Sequence, residues 1–184
     1  MKVLILNGSP HNNGDTAYII NKLKEKFSAD TVFEEINAYN EEIKPCIDCR
    51  NCWKNKGCSI SDKMDLVLKD DYDVLVIASP IYISYVTPPL FSIFTRLNFI
   101  WCNKYFINVS NDFKRKKGIL ILVGGGDGSP DNAINISMNT FKKLNADFDI
   151  ERDYIYSLQT NNIPAKDDPN IDKLINNVID HINN

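Results

Sequence analysis

Three short, unbroken apolar runs, Val3 to Leu6, Val74 to Ile77 and Ile119 to Val123, constrain this chain more than any other feature. A strand with one wet face alternates apolar and polar side chains. A run that is apolar at every position must be covered on both faces, as in the parallel sheets of α/β proteins. Between the runs, apolar residues return at helical spacing: Ile19, Ile20, Leu23 and Phe27; then Leu90, Ile93, Phe94 and Leu97; then Ile171, Leu174, Ile175, Val178, Ile179 and Ile182. Weaker patterns predict a strand from Thr31 to Ile36, a helix from Asp62 to Lys69, a helix around Ile134 to Leu144 and a strand near Ile150 to Tyr156. Strand and helix thus alternate along the chain, which implies right-handed crossovers with helices on both sides of one sheet.

Five parallel strands suit the flavodoxin-like order 2-1-3-4-5, a three-layer α/β/α arrangement whose winding reverses between the first and third strands. Ligands of such sheets bind at that reversal, beyond the carboxyl ends of the strands. The loops after Leu6, Ile77 and Val123 are therefore expected to meet at one crevice. With 184 residues, 43% of them hydrophobic, the chain fits a single domain over 1–184. No repeat or low-complexity tract divides it, and the only shift in composition is a lysine- and cysteine-rich loop at about 40–61. Lys plus Arg number 21 against 24 for Asp plus Glu, a net charge of -3, so no broad basic face is offered to nucleic acid. The opening MKVLILNGSP has too short an apolar stretch for a secretory core or a membrane span, and a cytoplasmic location away from membranes is expected.

The first crevice loop reads NGSPHNNGDT, from Asn7 to Thr16, and runs from strand straight into helix. Its glycines and asparagines permit a turn that aims backbone N–H groups inward, and Ser9 and Thr16 add hydroxyls at a helix N-terminus, a cradle for one phosphate. Neither the Walker pattern nor G-x-G-x-x-G is present. An ordinary βα turn with capping Ser and Asp is the alternative. The second loop, SPIYISYVTPP from Ser79 to Pro89, carries Tyr82 and Tyr85 between prolines; the third, VGGGDGSP from Val123 to Pro130, offers three consecutive glycines against which a planar group can lie. Cradle, aromatic loop and glycine shelf together describe a site for flavin mononucleotide (FMN), with a merely flexible loop as the other reading of the glycines.

The segment PCIDCRNCWKNKGCS supplies Cys46, Cys49, Cys52 and Cys58 in the spacing C-x2-C-x2-C-x5-C. Zinc usually takes its ligands as two separated pairs, whereas three cysteines at successive three-residue steps can reach different corners of a cubane, so a 4Fe-4S cluster is the better geometric match. Four thiolates on a 2+ core leave a charge of about -2, which Lys44, Arg50, Lys54 and Lys56 would offset. In a reducing compartment such cysteines are read as ligands sooner than as disulfides. Cys102 closes an apolar helix and is read as a buried thiol without chemistry.

At these residues the chain resembles a known family. GSPHNNGDT is similar to the S-P-x-x-x-G-x-T phosphate loop of the NADPH-dependent FMN reductase superfamily, and SPIY to its second flavin-contacting loop. PCIDCRNCWKNKGCSISDKMD resembles the cysteine motif of the iron-sulfur flavoprotein branch. The likeness covers most of the chain to about Gly126. It implies Ser9, His11, Asn13 and Thr16 on the phosphate side, Pro80, Ile81 and Tyr82 bordering the isoalloxazine, and Gly124, Gly125 and Gly126 at its pyrimidine edge. His11 stands where the family frequently has Arg, and Asp15 where it frequently has Asn. A carboxylate beside a phosphate would repel it, so Asp15 is expected to turn away.

Motifs and resemblance together imply an FMN-containing oxidoreductase that takes electrons from NAD(P)H or ferredoxin and passes them on through a 4Fe-4S cluster. Two alternatives stand beside it: a cluster-free NAD(P)H-dependent FMN or quinone reductase, in which the thiols line the loop without iron, and a zinc-stabilised binding protein. The resemblance also implies a homodimer or homotetramer. Phe99, Trp101, Tyr105 and Phe106 would close a subunit interface or form a satellite of the core. Lys114 to Lys117 read as a solvated edge, with a docking patch for an acidic partner such as ferredoxin as the alternative, and His181 as a solvated residue of the last helix.

Overall fold

The structure is a computed structural model that describes residues 1–183. Its strands are β1 (Lys2–Asn7), β2 (Val32–Asn37), β3 (Val74–Pro80), β4 (Lys116–Val123), β5 (Ala146–Asp147) and β6 (Tyr154–Ser157). Its helices are α1 (Asp15–Lys26), α2 (Asp65–Leu68), α3 (Pro88–Arg96), α4 (Asn98–Ile107), α5 (Asp131–Lys143) and α6 (Ile171–Asn183). The order β2-β1-β3-β4-β5 is parallel throughout, as the apolar runs require. Each run splits its side chains between two cores. Leu4, Leu6, Leu75, Ile77, Leu120 and Leu122 face α2, α3, α4 and α5; Val3, Ile5, Val74, Val76, Ile119 and Ile121 face α1 and α6. Fully burying each such side chain contributes about 1.5–3 kcal/mol.

Three departures from the expected pattern have simple causes. The fifth place in the sheet is shared: β5 pairs with Lys116 and Lys117, whereas β6 pairs with Leu120 to Val123 after a turn closed by Asp153 N–H donating to the Asp149 carbonyl at 2.8 Å. The apolar stretch after Leu97 is a separate helix, α4, because the chain bends at Leu97 and then buries Phe99, Cys102 and Asn103. The short helix expected from Asp62 to Lys69 is one turn, α2.

Two polar residues depart from their expected surroundings. His181 is not solvated, because its Nδ1 lies 2.5 Å from an Asp153 carboxylate that is 1% exposed. Lys116 does not belong to a solvated edge either. Its side chain is fully buried, 2.7 Å from Asp70, with carbonyls of Lys114 and Leu144 accepting from Nζ and the Tyr72 ring 5.1 Å away. Lys114 and Arg115, by contrast, are exposed ion-pair partners of Asp73 and Asp147.

Candidate functional site

The three loops at the carboxyl ends of β1, β3 and β4 are joined to one another by backbone and side-chain hydrogen bonds. Gly8 N–H donates to the Ala78 carbonyl (2.7 Å) and Thr87 Oγ1 donates to the Gly8 carbonyl (2.8 Å), tying the first loop to the second. Ile81 N–H donates to the Val123 carbonyl (2.8 Å), tying the second to the third. A Cβ on Gly8 would stand 2.8 Å from Thr87 Oγ1 and 2.9 Å from Leu90, so only glycine allows this close approach.

Within the first loop, Asn7 Oδ1 accepts from Ser9 N–H (2.9 Å) and Ser9 Oγ accepts from His11 N–H (3.2 Å), which folds the chain into a tight arch. Asn37 Nδ2 holds the arch by donating to the Ser9 carbonyl (3.1 Å). Ser9 and Thr16 are buried at its floor, whereas His11 and Asn13 stand exposed at its lip. Helix α1 comes directly after, with Gly14 at its N-cap and no side-chain cap on its first-turn N–H groups. Those donors and the positive end of the helix dipole are a fitting seat for a phosphate. Asp15 does turn away: its Oδ1 accepts from Ala165 N–H at 2.7 Å, before α6.

Pro80 and Ile81 are half-buried, and Tyr82 opens a two-residue hairpin closed by reciprocal bonds with Tyr85 (2.8 and 3.0 Å). At its tip Ile83 (φ 51) and Ser84 (φ 63) both take left-handed backbone. For a β-branched residue that conformation costs roughly 1–2 kcal/mol, and Ile83 is 96% exposed, so no packing offsets it. The Ser84 carbonyl accepts from Ala133 N–H (3.0 Å), docking the hairpin on α5. Tyr39, beyond β2, neighbours Tyr82; burial first, then Tyr82, pushes its phenol up.

The three glycines serve different ends. Gly124 lies buried behind Ile81, and Gly125 leaves room for the Asn161 side chain, which would stand 2.8 Å from a Cβ there. Only Gly126 faces open space. Carbonyls of Gly124 and Gly125 accept from Thr160 and Asn161 N–H groups (3.0 and 3.1 Å), a brace from the segment after β6 that no motif announces.

The cysteine loop packs on α3 and α4. Cys46 and Cys49 are exposed, Cys52 and Cys58 half-buried and Cys102 buried, and all five line one cavity together with Trp53, Arg96 and Phe99. Cys102 thus faces the loop, and burial first, then the neighbouring Cys102 thiol, pushes the Cys52 thiol up to about 11. Ser59 Oγ, 3.3 Å from the Cys49 sulfur, holds that thiol below its usual range. The chain turns sharply at Asp48, Arg50 and Gly57, all in left-handed backbone. Among the described residues, no three His, Cys, Asp or Glu side chains are placed to hold a single metal ion.

The surface cations expected to balance a cluster are partly engaged elsewhere. Arg50 pairs with Asp48 (3.5 Å) and lies over the Trp53 ring (4.7 Å). The cation buried beside the thiols is Arg96, 1% exposed, whose Nε donates to the Cys58 sulfur at 3.3 Å. A cation bordering the apolar stripe of α3 is the signal the sequence offers for it. Trp53 stacks on Phe106 at 4.1 Å, which ties the loop to α4, whereas Trp101 and Tyr105 stack on each other at 4.8 Å and stay exposed and Phe99 belongs to the core. Thiol chemistry and a buried guanidinium fit an iron-sulfur group, just as the uncapped α1 fits a phosphate.

A family model described as NADPH-dependent FMN reductase matches residues 1–148. An iron-sulfur flavoprotein of Methanosarcina thermophila is 30% identical over 132 residues, 68% of this chain and 64% of its own length. One of Methanocaldococcus jannaschii is 30% identical over 93 residues, 49% of this chain and 48% of its own length, so the matches span about half to two-thirds of these relatives. An azoreductase structure from Bacillus anthracis superposes with a TM-score of 0.66 over 100% of this chain and 99% of its own, at 16% identity, which establishes likeness of fold. No helix among the described residues is long and apolar enough to cross a membrane.

Proposed function

The chain belongs to the NADPH-dependent FMN reductase family, and from that premise we propose that it is a flavin-dependent oxidoreductase that takes electrons from NAD(P)H or a ferredoxin and delivers them to an acceptor. In this reading FMN occupies the crevice and a 4Fe-4S cluster is held by Cys46, Cys49, Cys52 and Cys58. The observation that carries it is the uncapped N-terminus of α1 standing where three mutually bonded loops converge. Bound there, FMN supplies hydride acceptance and electron transfer, and a cluster on the thiols supplies one-electron steps.

The chain's own residues have defined tasks. First-turn N–H groups of α1, with the Ser9 and Thr16 hydroxyls, hold the phosphate, and His11 and Asn13 close over it from the lip. Turning Asp15 toward Ala165 removes a repelling carboxylate from that seat. Pro80, Ile81 and Tyr82 form one wall for the ring system, and Gly124, Gly125 and Gly126 offer their backbone at its polar edge. Residues 1–184 act as one domain, in the cytoplasm, as a homodimer or homotetramer.

The test is an absorption spectrum with metal analysis of anaerobically purified protein, together with calorimetric titration by FMN. Flavin bands with about four irons per chain are expected. Flavin without iron would leave the cluster-free NAD(P)H-dependent FMN or quinone reductase, and zinc without flavin would leave a binding protein.

A further inference from the structure

We infer that Arg96 is a positioning residue that shapes the cysteine loop before any metal arrives and that donates a hydrogen bond to the sulfur of one ligand. The inference rests on the cluster reading only for the second of these roles. One guanidinium reaches both ends of the loop. Its NH1 donates to the Lys44 carbonyl (3.1 Å) and its NH2 to the Ile60 carbonyl (2.6 Å), clasping residues that enclose all four loop cysteines. NH1 also meets the Asp62 carboxylate at 2.7 Å, and Nε meets Cys58 at 3.3 Å. Arg96 is 1% exposed and the Asp62 side chain 10%, so the pair is desolvated and its geometry is set by the fork of the guanidinium.

A second buried side chain, Asn103, completes the clasp. It accepts from Gly57 N–H (2.8 Å) and donates to the carbonyls of Cys52 (2.7 Å) and Asn55 (2.9 Å), while Thr95 Oγ1 accepts from Cys46 N–H (3.0 Å). Backbone groups at three of the four cysteine-bearing stretches are thereby satisfied by α3 and α4 with no metal needed. A hydrogen bond to a ligating sulfur, with a buried positive charge behind it, favours the reduced, more negative state of an iron-sulfur group. Removing Arg96 would leave the Asp62 carboxylate without its cation, the Cys58 sulfur without its donor and two carbonyls unpaired.

The test compares the full chain with Arg96→Lys and Arg96→Gln in two states. In iron-free protein, the rate of protease cutting within residues 44–61 is expected to rise at least about tenfold in Arg96→Gln, with Arg96→Lys between, because lost bonds lower the cost of local opening. In iron-loaded protein, the midpoint potential of the cluster is expected to shift downward in Arg96→Gln. Equal cutting rates overturn the positioning role; faster cutting with an unchanged potential overturns the bond to the ligand sulfur. Should Arg96→Gln not fold, Arg96→Lys and Asp62→Asn decide by the same cutting rate. A parent chain that takes up no iron overturns the cluster reading, and the cutting rate still decides the positioning role.

Discussion

Gly126→Ala separates the flavin shelf from the stability of the chain that forms it. A Cβ at Gly126 meets nothing within 4 Å, and its φ lies outside the left-handed region, so the free protein has room for the methyl group. Removing a glycine from a compatible backbone stabilises by about 0.4–1 kcal/mol through the unfolded state. If the isoalloxazine edge rests on that backbone, the same methyl group overpacks the complex by about 1–3 kcal/mol, a loss of roughly 5- to 150-fold in FMN affinity. Stability and affinity therefore move in opposite directions. Gly8→Ala is the counterpart: its Cβ would collide with Thr87 and Leu90 in the free chain, at an expected cost of about 1–3 kcal/mol. For a chain of this size that lowers Tm by roughly 2–12 °C. Thermal unfolding without ligand and calorimetric titration with FMN read the two effects. Full FMN affinity in a stable Gly126→Ala chain would refute the placement of the ring against the third loop.

Asp62→Asn should destabilise by about 3–5 kcal/mol because it leaves the buried Arg96 charge unpaired. Burial alone raises the Asp62 carboxyl, but the Arg96 guanidinium and the N–H groups of Met64 and Lys44 prevail and hold it below its usual 3.8. Its contribution is then complete above that ordinary value and lost as pH falls through the lower folded one. Denaturant titrations of parent and variant should differ most above about pH 5 and converge in acid; a gap constant with pH would contradict the pairing. Replacing Ile83-Ser84 by Asn-Gly should stabilise by about 1–2 kcal/mol, raising Tm by roughly 2–8 °C, since both positions hold left-handed backbone and Ile83 packs on nothing. An unchanged Tm would show the turn to be unstrained. Cys58→Ser should lower iron content while Cys102→Ala leaves it near parental, measured on anaerobic protein; equal losses would make Cys102 a ligand.

How far the sequence reveals this molecule depends on the range of the interactions involved. Val3 to Leu6 and Ile119 to Val123 declare buried strands because strand burial is written in consecutive side chains, and the crevice loops are a consequence of strand order. The split of the fifth place into β5 and β6 is hidden because two residues carry no periodicity. Arg96 and Asn103 are hidden for another reason. Their partners lie 34 to 52 positions away, and the place of Arg96 beside the apolar stripe of α3 hints at burial without naming what it clasps. His181 and Lys116 mislead on the same ground, each finding its carboxylate across the fold.

Helix α3 meets the first crevice loop through Thr87 at its start and the thiol-bearing segment through Arg96 at its end. Its nine residues therefore act as a gauge block of about 13 Å between the two proposed redox centres. Dropping one residue would shorten the block by only about 1.5 Å but would swing its far end by about 100°. In this stretch the count of residues is fixed more tightly than their identity, and length variation among related chains should fall elsewhere.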